Sequence, residues 1–345
     1  MPEDSIENID FDKLNEKAIS QPLIKHIYTA DPSAHVFNGK IYIYPSHDID
    51  AGEAFDDLGS HFAMEDYHVL SMDSVDGAAV DHGIALHVED VPWAERQMWA
   101  PDAAQKKGTY YLYFPAKDYD GIFRIGVAVS NSPTGPFIPQ PYAIKDSFSI
   151  DPAVFEDEDG SYYMYFGGLW GGQLQRWRTG EFNASNPESP TAHFPKDDEP
   201  ALLPYVAKLD DTMLEFAEKP RPIEILDNEG KLLLTGDNDR RFFEAAWMHK
   251  HQEKYYFSYS TGDTHFICYA IGDTPYGPFV YKGRILEPVV GWTSHHSVCK
   301  VDGKWFLFYH DSSLSKGVTH LRCIKVAEIE HLSDGSIKTL KPYND

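Results

Sequence analysis

One pattern, met five times along the chain, limits the fold more than any other feature: a short apolar strand, a turn with Gly or polar residues, then a strand dense in aromatic residues. The copies are DPSAHVFNGKIYIYPSHD from 31, APDAAQKKGTYYLYFPAKD from 100, DPAVFEDEDGSYYMYFGG from 151, EAAWMHKHQEKYYFSYSTG from 244 and HSVCKVDGKWFLFYHD from 296. The turn dipeptides Asn38-Gly39, Lys107-Gly108, Asp159-Gly160 and Asp302-Gly303 suit tight hairpin loops, because glycine accepts positive φ without steric cost. Each copy therefore reads as a β-hairpin. A lone hairpin cannot bury both of its faces, whereas four-stranded blades set radially around a channel bury them against one another. Copies spaced by roughly 50 to 90 residues leave room for four strands plus loops. The expectation is an all-β, five-bladed β-propeller.

A second repeat supports this, since SPTGPF at 132–137 and TPYGPF at 274–279 each follow an apolar strand and suit the outer edges of two blades. The segment NPESPTAHFPKDDEP reads as a surface loop, and EILDNEGKLLLTG after it as a further hairpin. Residues 1–345 are expected to form a single catalytic domain, with 1–25 as an N-terminal extension. The 21 Tyr, 20 Phe and 7 Trp lie mostly in alternating runs that favour strands.

Charge narrows the partners. With 54 acidic and 30 basic side chains the formal charge is −24, which repels nucleic-acid phosphates and anionic lipid, and no apolar run is long enough to span a bilayer. A neutral substrate is favoured, with no nucleic acid and no membrane as partner. The N-terminal stretch is acidic and lacks the basic and apolar regions of a signal peptide, so the expectation is a cytoplasmic location or, as the alternative, a secretory signal already removed from this sequence. Cys268, Cys299 and Cys323 stand in strand-like contexts and read as reduced core thiols.

Chemistry enters where the copies differ. Aligned on their first residues, they present Asp31, Ala100, Asp151, Glu244 and His295 or His296 at one equivalent position near the channel mouth. A purely structural position would tend to repeat one residue type. An Asp-Pro pair alone is explained by turn capping, but three carboxylates at equivalent ends of three blades point to a site. Clustered carboxylates over a neutral substrate suit glycoside hydrolysis, in which one acid stays protonated for the leaving oxygen while another activates water.

From about Tyr28 to Lys325 the chain resembles glycoside hydrolase family 43, carried by Asp31-Pro32-Ser33, Trp99-Ala100-Pro101-Asp102, Ile150-Asp151-Pro152-Ala153, Glu244-Ala245-Ala246 and His295-His296-Ser297. The resemblance implies an inverting enzyme that releases terminal pentoses. It assigns Asp31 as general base, Asp151 as the residue that tunes and orients, and Glu244 as general acid. It further implies that Arg322 binds sugar hydroxyls and that His296 lines the channel and approaches a hydrated Ca²⁺ or other divalent ion; no organic cofactor is expected. Trp99, Ala100 and Ile150 adjoin the rim and complete the expected substrate contacts, although Trp99 also fits a core position. Trp247 reads as packing, and Phe243 flanks Glu244.

The motifs do not separate β-xylosidase from α-L-arabinofuranosidase, so the partner is a xylo-oligosaccharide or an arabinose-substituted substrate. A single domain suited to small oligosaccharides tilts the reading to exo-β-1,4-xylosidase. A propeller fructosidase is disfavoured by Ile150 before Asp151 and Ala245 after Glu244; a non-catalytic glycan-binding propeller is disfavoured by the presence of all three acids. The stretch containing His47, Asp48, Asp50, His61, Asp66 and His68 lacks the spacing of a known metal cage and reads as solvated loop, with His47 and Asp48 bordering the pocket.

Overall fold

The computed structural model describes residue 6 and residues 8–344. Among them are five sheets in chain order, one for each hairpin copy. Blade 1 holds β1 (Tyr28–Phe37), β2 (Lys40–Asp48), β3 (Asp66–Met72) and β4 (Val80–His87). Blade 2 holds β5 (Ala94–Arg96), β6 (Asp102–Lys106), β7 (Thr109–Asp118), β8 (Phe123–Ser130) and β9 (Ile138–Pro139). Blade 3 holds β10 (Ala153–Glu156), β11 (Tyr162–Phe166), β12 (Tyr205–Lys208) and β13 (Arg221–Pro222). Blade 4 holds β14 (Ile225–Leu226), β15 (Glu244–His251), β16 (Lys254–Ser260), β17 (Ile267–Gly272) and β18 (Phe279–Leu286). Blade 5 holds β19 (His296–Val301), β20 (Lys304–Asp311) and β21 (Cys323–Ile329). Every pairing is antiparallel except β14 beside β18. The five-bladed propeller read from the repeats is the observed fold.

The hairpin turns form for the reason the sequence suggests. Asn38-Gly39, Lys107-Gly108 and Asp302-Gly303 have positive φ at both positions, as a two-residue turn matched to strand twist requires. The fourth copy has no glycine there and places Gln252 and Glu253 in the same region at φ 47° and 61°.

Apolar residues from facing blades form five separate cores, one at each seam. Tyr44 and Val69 meet Leu112 and Phe114 between blades 1 and 2, and Val127 meets Met164 between blades 2 and 3. Tyr165 meets Phe257 between blades 3 and 4, Tyr269 meets Leu307 between 4 and 5, and Ile43 meets Phe308 between 5 and 1. Burial of apolar faces on both sides of every sheet is what keeps the ring closed. All three cysteines are free and buried as expected, Cys268 and Cys299 in these layers and Cys323 with its thiol donating to Asp311 Oδ1.

Blade 5 is completed from the other end of the chain. After a short helix α1 (Phe11–Lys17), the Leu23 amide donates to the Ile324 carbonyl, the Thr29 amide to Arg322, and the Val326 amide to the Ser20 hydroxyl. Ala18 bridges to Tyr343. The segment read as an N-terminal extension thus lies along β21, with Ile24 buried in the seam between blades 5 and 1. No helix among the described residues is long and apolar enough to cross a membrane.

Candidate active site

Asp31, Asp151 and Glu244 converge because each stands where an inner strand begins, and the backbone there is bent in the same way. Asp31 and Asp151 have φ of 49° and 57°, and Ala245, next to Glu244, has 61°. Bulges break the register between Ala30 and Ser33 and between Glu244 and Trp247. Non-glycine residues in this left-handed region carry strain that the surrounding structure must hold, and bulges re-aim the side chains they carry. All three carboxyl-bearing residues line one pocket of about 780 Å³.

Arg322, on the segment entering β21, is buried and paired to two acids. Its Nη1 donates to Asp31 Oδ1 at 2.9 Å, while its Nε and Nη2 grip Asp48 Oδ2 and Oδ1 at 2.9 and 2.7 Å. Asp31 also accepts from the Ser46 hydroxyl through Oδ2. Burial is the largest single influence and raises the Asp31 pKa, but the Arg322 charge, the rings of His310 and His295 and the Ser46 hydroxyl together outweigh it and hold the carboxyl down at about 2. Burial lowers the pKa of His310 and His295, and the Asp31 charge works against that in both rings. Asp31 is therefore an anion at neutral pH.

Glu244 sits under the opposite influence. It keeps some open surface toward the pocket, yet burial and the like charges of Asp151 and Asp31 push its pKa well above the ordinary range. Asp151 is raised as well, first by burial. The proton shared by this pair belongs on Glu244, because Asp151 Oδ2 accepts the Ala245 amide at 2.7 Å and that bond favours its ionised form. The pocket thus offers a protonated acid and an ionised base on different blades.

The walls are aromatic. Trp99 lines the pocket while its Nε1 donates to the Phe62 carbonyl, so it serves packing and lining at once. Arg322 lies 5.0 Å over the Phe62 ring. Trp170 stacks on Trp292 at 5.3 Å and meets Phe243 edge-on. Ala100 and Ile150 are buried lining residues, and Ile150 packs so closely that a Cβ on Gly172 would lie 2.7 Å from its Cδ1.

Two sequence expectations change. His296 does not line the pocket; its neighbour His295 does, because adjacent residues entering β19 face opposite ways. His296 is fully buried behind it, with Nε2 hydrogen-bonded to Ser258 at 2.6 Å and Nδ1 without a partner. The His- and Asp-rich stretch is not solvated loop throughout. His47 and Asp48 end β2, Asp66 and His68 begin β3, and all four are buried or half-buried; Asp50 is exposed and His61 lines the pocket. Trp247 is packed in the seam between blades 4 and 5, as expected, with its Nε1 bonded to Val298.

Sequence reasoning set Asp48 at the pocket border without its pairing to Arg322, and missed His310, Trp170 and Trp292. Asp102, part of the most specific motif, proves to be a joint between blades: buried, it accepts from the Ser33 hydroxyl, the Val154 amide and the His35 ring.

A propeller whose channel mouth carries an ionised aspartate and a protonated glutamate under aromatic walls is a glycosidase. The model of the glycosyl hydrolases family 43 matches residues 22–188. Xylosidase/arabinosidase 43A of Humicola insolens is 62% identical over 93% of this chain and 99% of its own length, and the xylosidase/arabinosidase of Bacteroides ovatus is 57% identical over 92% and 97%. The chain belongs to glycosyl hydrolases family 43. Among solved structures, a GH43 β-xylosidase/α-arabinofuranosidase from a compost microbial metagenome, in complex with xylotriose and in a calcium-free form, aligns with TM-score 0.92 and 64% identity, covering 94% of this chain and 98% of that one. A GH43_1 enzyme from Xanthomonas citri complexed with xylotriose aligns with TM-score 0.91 and 55% identity, covering 97% of each.

Proposed function

We propose that this enzyme is an inverting exo-glycosidase that releases terminal xylose from xylo-oligosaccharides and also accepts α-L-arabinofuranosyl groups. The observation that carries the reading is the placing of Asp31 against the Arg322 guanidinium and of Glu244 beside Asp151 in one pocket, surroundings that favour the anion at the first and the proton at the second. Asp31, held ionised by Arg322, takes a proton from water as that water attacks the anomeric carbon. Glu244 gives its proton to the departing glycosidic oxygen, and Asp151 keeps that proton in place by its negative charge. Arg322 is committed to Asp31 and Asp48, so in this reading it orients the base and offers its remaining edge to sugar hydroxyls. The xylotriose complexes of similar enzymes support the substrate class.

A divalent ion in the channel beside His296 belongs to the same proposal. Its partnerless Nδ1 on a ring that burial keeps neutral fits one weak nitrogen ligand, with water supplying the oxygens that Ca²⁺ prefers. Such an ion would supply positive charge to the channel. The cytoplasmic location expected from the N-terminal stretch also stands as a proposal, to be tested by fractionation of the source cells.

The decisive measurement is the anomer first released from an aryl β-xyloside, followed by NMR, together with kcat/KM of Glu244→Ala. Inversion is expected, with a far larger loss on xylobiose than on the activated aryl substrate, whose leaving group needs little protonation. A retained anomer, or equal losses on both substrates, overturns the assignment.

A further inference from the structure

The outer half of blade 1 brings together three metal-binding groups that are far from consecutive in sequence. His47 stands next to the end of β2, and Asp66 and His68, two apart on β3, share one face of the sheet. His47 Nδ1 lies 2.7 Å from Asp66 Oδ1, and His68 Nε2 lies 3.8 Å from the same oxygen. The three ligand atoms are all within 4.8 Å of one another. Bonds of about 2.0–2.1 Å around a tetrahedral ion place ligand atoms about 3.4 Å apart, so small side-chain movements suffice to close the set on one ion.

Three further observations point to a ligand rather than to a plain hydrogen-bonded group. His68 Nδ1 is bonded to Asp81 Oδ1 at 2.8 Å; a carboxylate accepting that N–H leaves the lone pair on Nε2, the atom aimed at Asp66. Asp81 is itself held by the Gly83 amide and by His26 Nε2 at 2.7 Å, so the outer support is built. The side chains of His47, Asp66 and His68 are 17%, 11% and 11% exposed, enclosed but open enough for an ion to enter and for water to take a fourth position. Two imidazole nitrogens and one carboxylate oxygen suit Zn²⁺ or a similar first-row ion and do not suit Ca²⁺.

We propose that His47, Asp66 and His68 bind one Zn²⁺-class ion, separate from the channel position at His296. Loading would fasten the end of β2 to β3. The residue after His47 is Asp48, the clamp on Arg322, so the ion also steadies the support of the catalytic base.

The test uses the full chain, stripped with EDTA, moved to chelator-free buffer and titrated with ZnCl₂ by calorimetry, with elemental analysis after desalting. Expected are one zinc per wild-type chain, a higher Tm in excess zinc, loss of the site in His68→Gln and Asp66→Asn, and affinity about 10- to 100-fold weaker in Asp81→Asn. His296→Ala should keep the zinc. X-ray absorption of the zinc-loaded wild type should show two imidazoles with oxygen ligands, a readout independent of whether the variants fold. Absence of zinc from the wild type, equal binding by the His68 and Asp66 variants, loss of zinc in His296→Ala, or a shell without two imidazoles overturns the proposal.

Discussion

At the residue scale the site is an electrostatic arrangement around one guanidinium. Arg322 lowers Asp31, while burial and like charge raise Glu244, and each effect can be removed singly. Arg322→Ala leaves Asp31 and Asp48 buried without their cation, a defect that costs about 3–5 kcal/mol and is read as a lower Tm. Asp31, no longer held at about 2, would then titrate higher, moving the acidic limb of kcat/KM to higher pH. The stability that this depressed pKa contributes is present above the ordinary carboxyl range near 3.8 and fades as pH falls toward 2. Asp151→Asn acts on the other limb. Removing its negative charge weakens the hold on the Glu244 proton, so the basic limb should shift to lower pH in a profile on xylobiose. The three acids were legible because repetition supplies its own alignment, making each copy a control for the others. The roles of Asp48, His310 and the cluster at His47 were not, because their meaning depends on partners such as Arg322, 274 residues from Asp48, and on strand register that no local pattern encodes.

At the element scale, the inner hairpins of the blades are alike, and the outer strands and connections carry the differences. The hairpin turns could be read from Asn-Gly and Asp-Gly pairs, and the aromatic second strands from alternation. The segment after β11 could not. Its short helical turn Trp170–Gly172 has no periodicity, yet it supplies Trp170 and packs under the pocket rim. Gly172→Ala tests how tightly that turn sets the site. A methyl group there meets Ile150, the residue before Asp151, and overpacking of this kind costs about 1–3 kcal/mol. The expected outcome is a modest fall in Tm with a larger fall in kcat/KM, since a small displacement of Asp151 disturbs the proton on Glu244.

At the scale of the whole molecule, closure matters more than any one sheet. The seam between blades 5 and 1 is built from both ends of the chain, with Ile24 packed among Ile41, Ile43 and Phe308. Ile24→Ala should cost about 2–4 kcal/mol, and thermal inactivation of xylosidase activity is expected to shift with the unfolding midpoint, because Asp31 and Arg322 face each other across this seam. That seam also bears on how the enzyme is made. A ribosome delivers Asp31 291 residues before Arg322, so the nascent chain carries its base without a counter-charge over that whole stretch of translation. Catalytic competence therefore waits until the strand that follows Arg322 emerges and docks beside the segment leading into β1, and products truncated before Arg322 are inert by geometry.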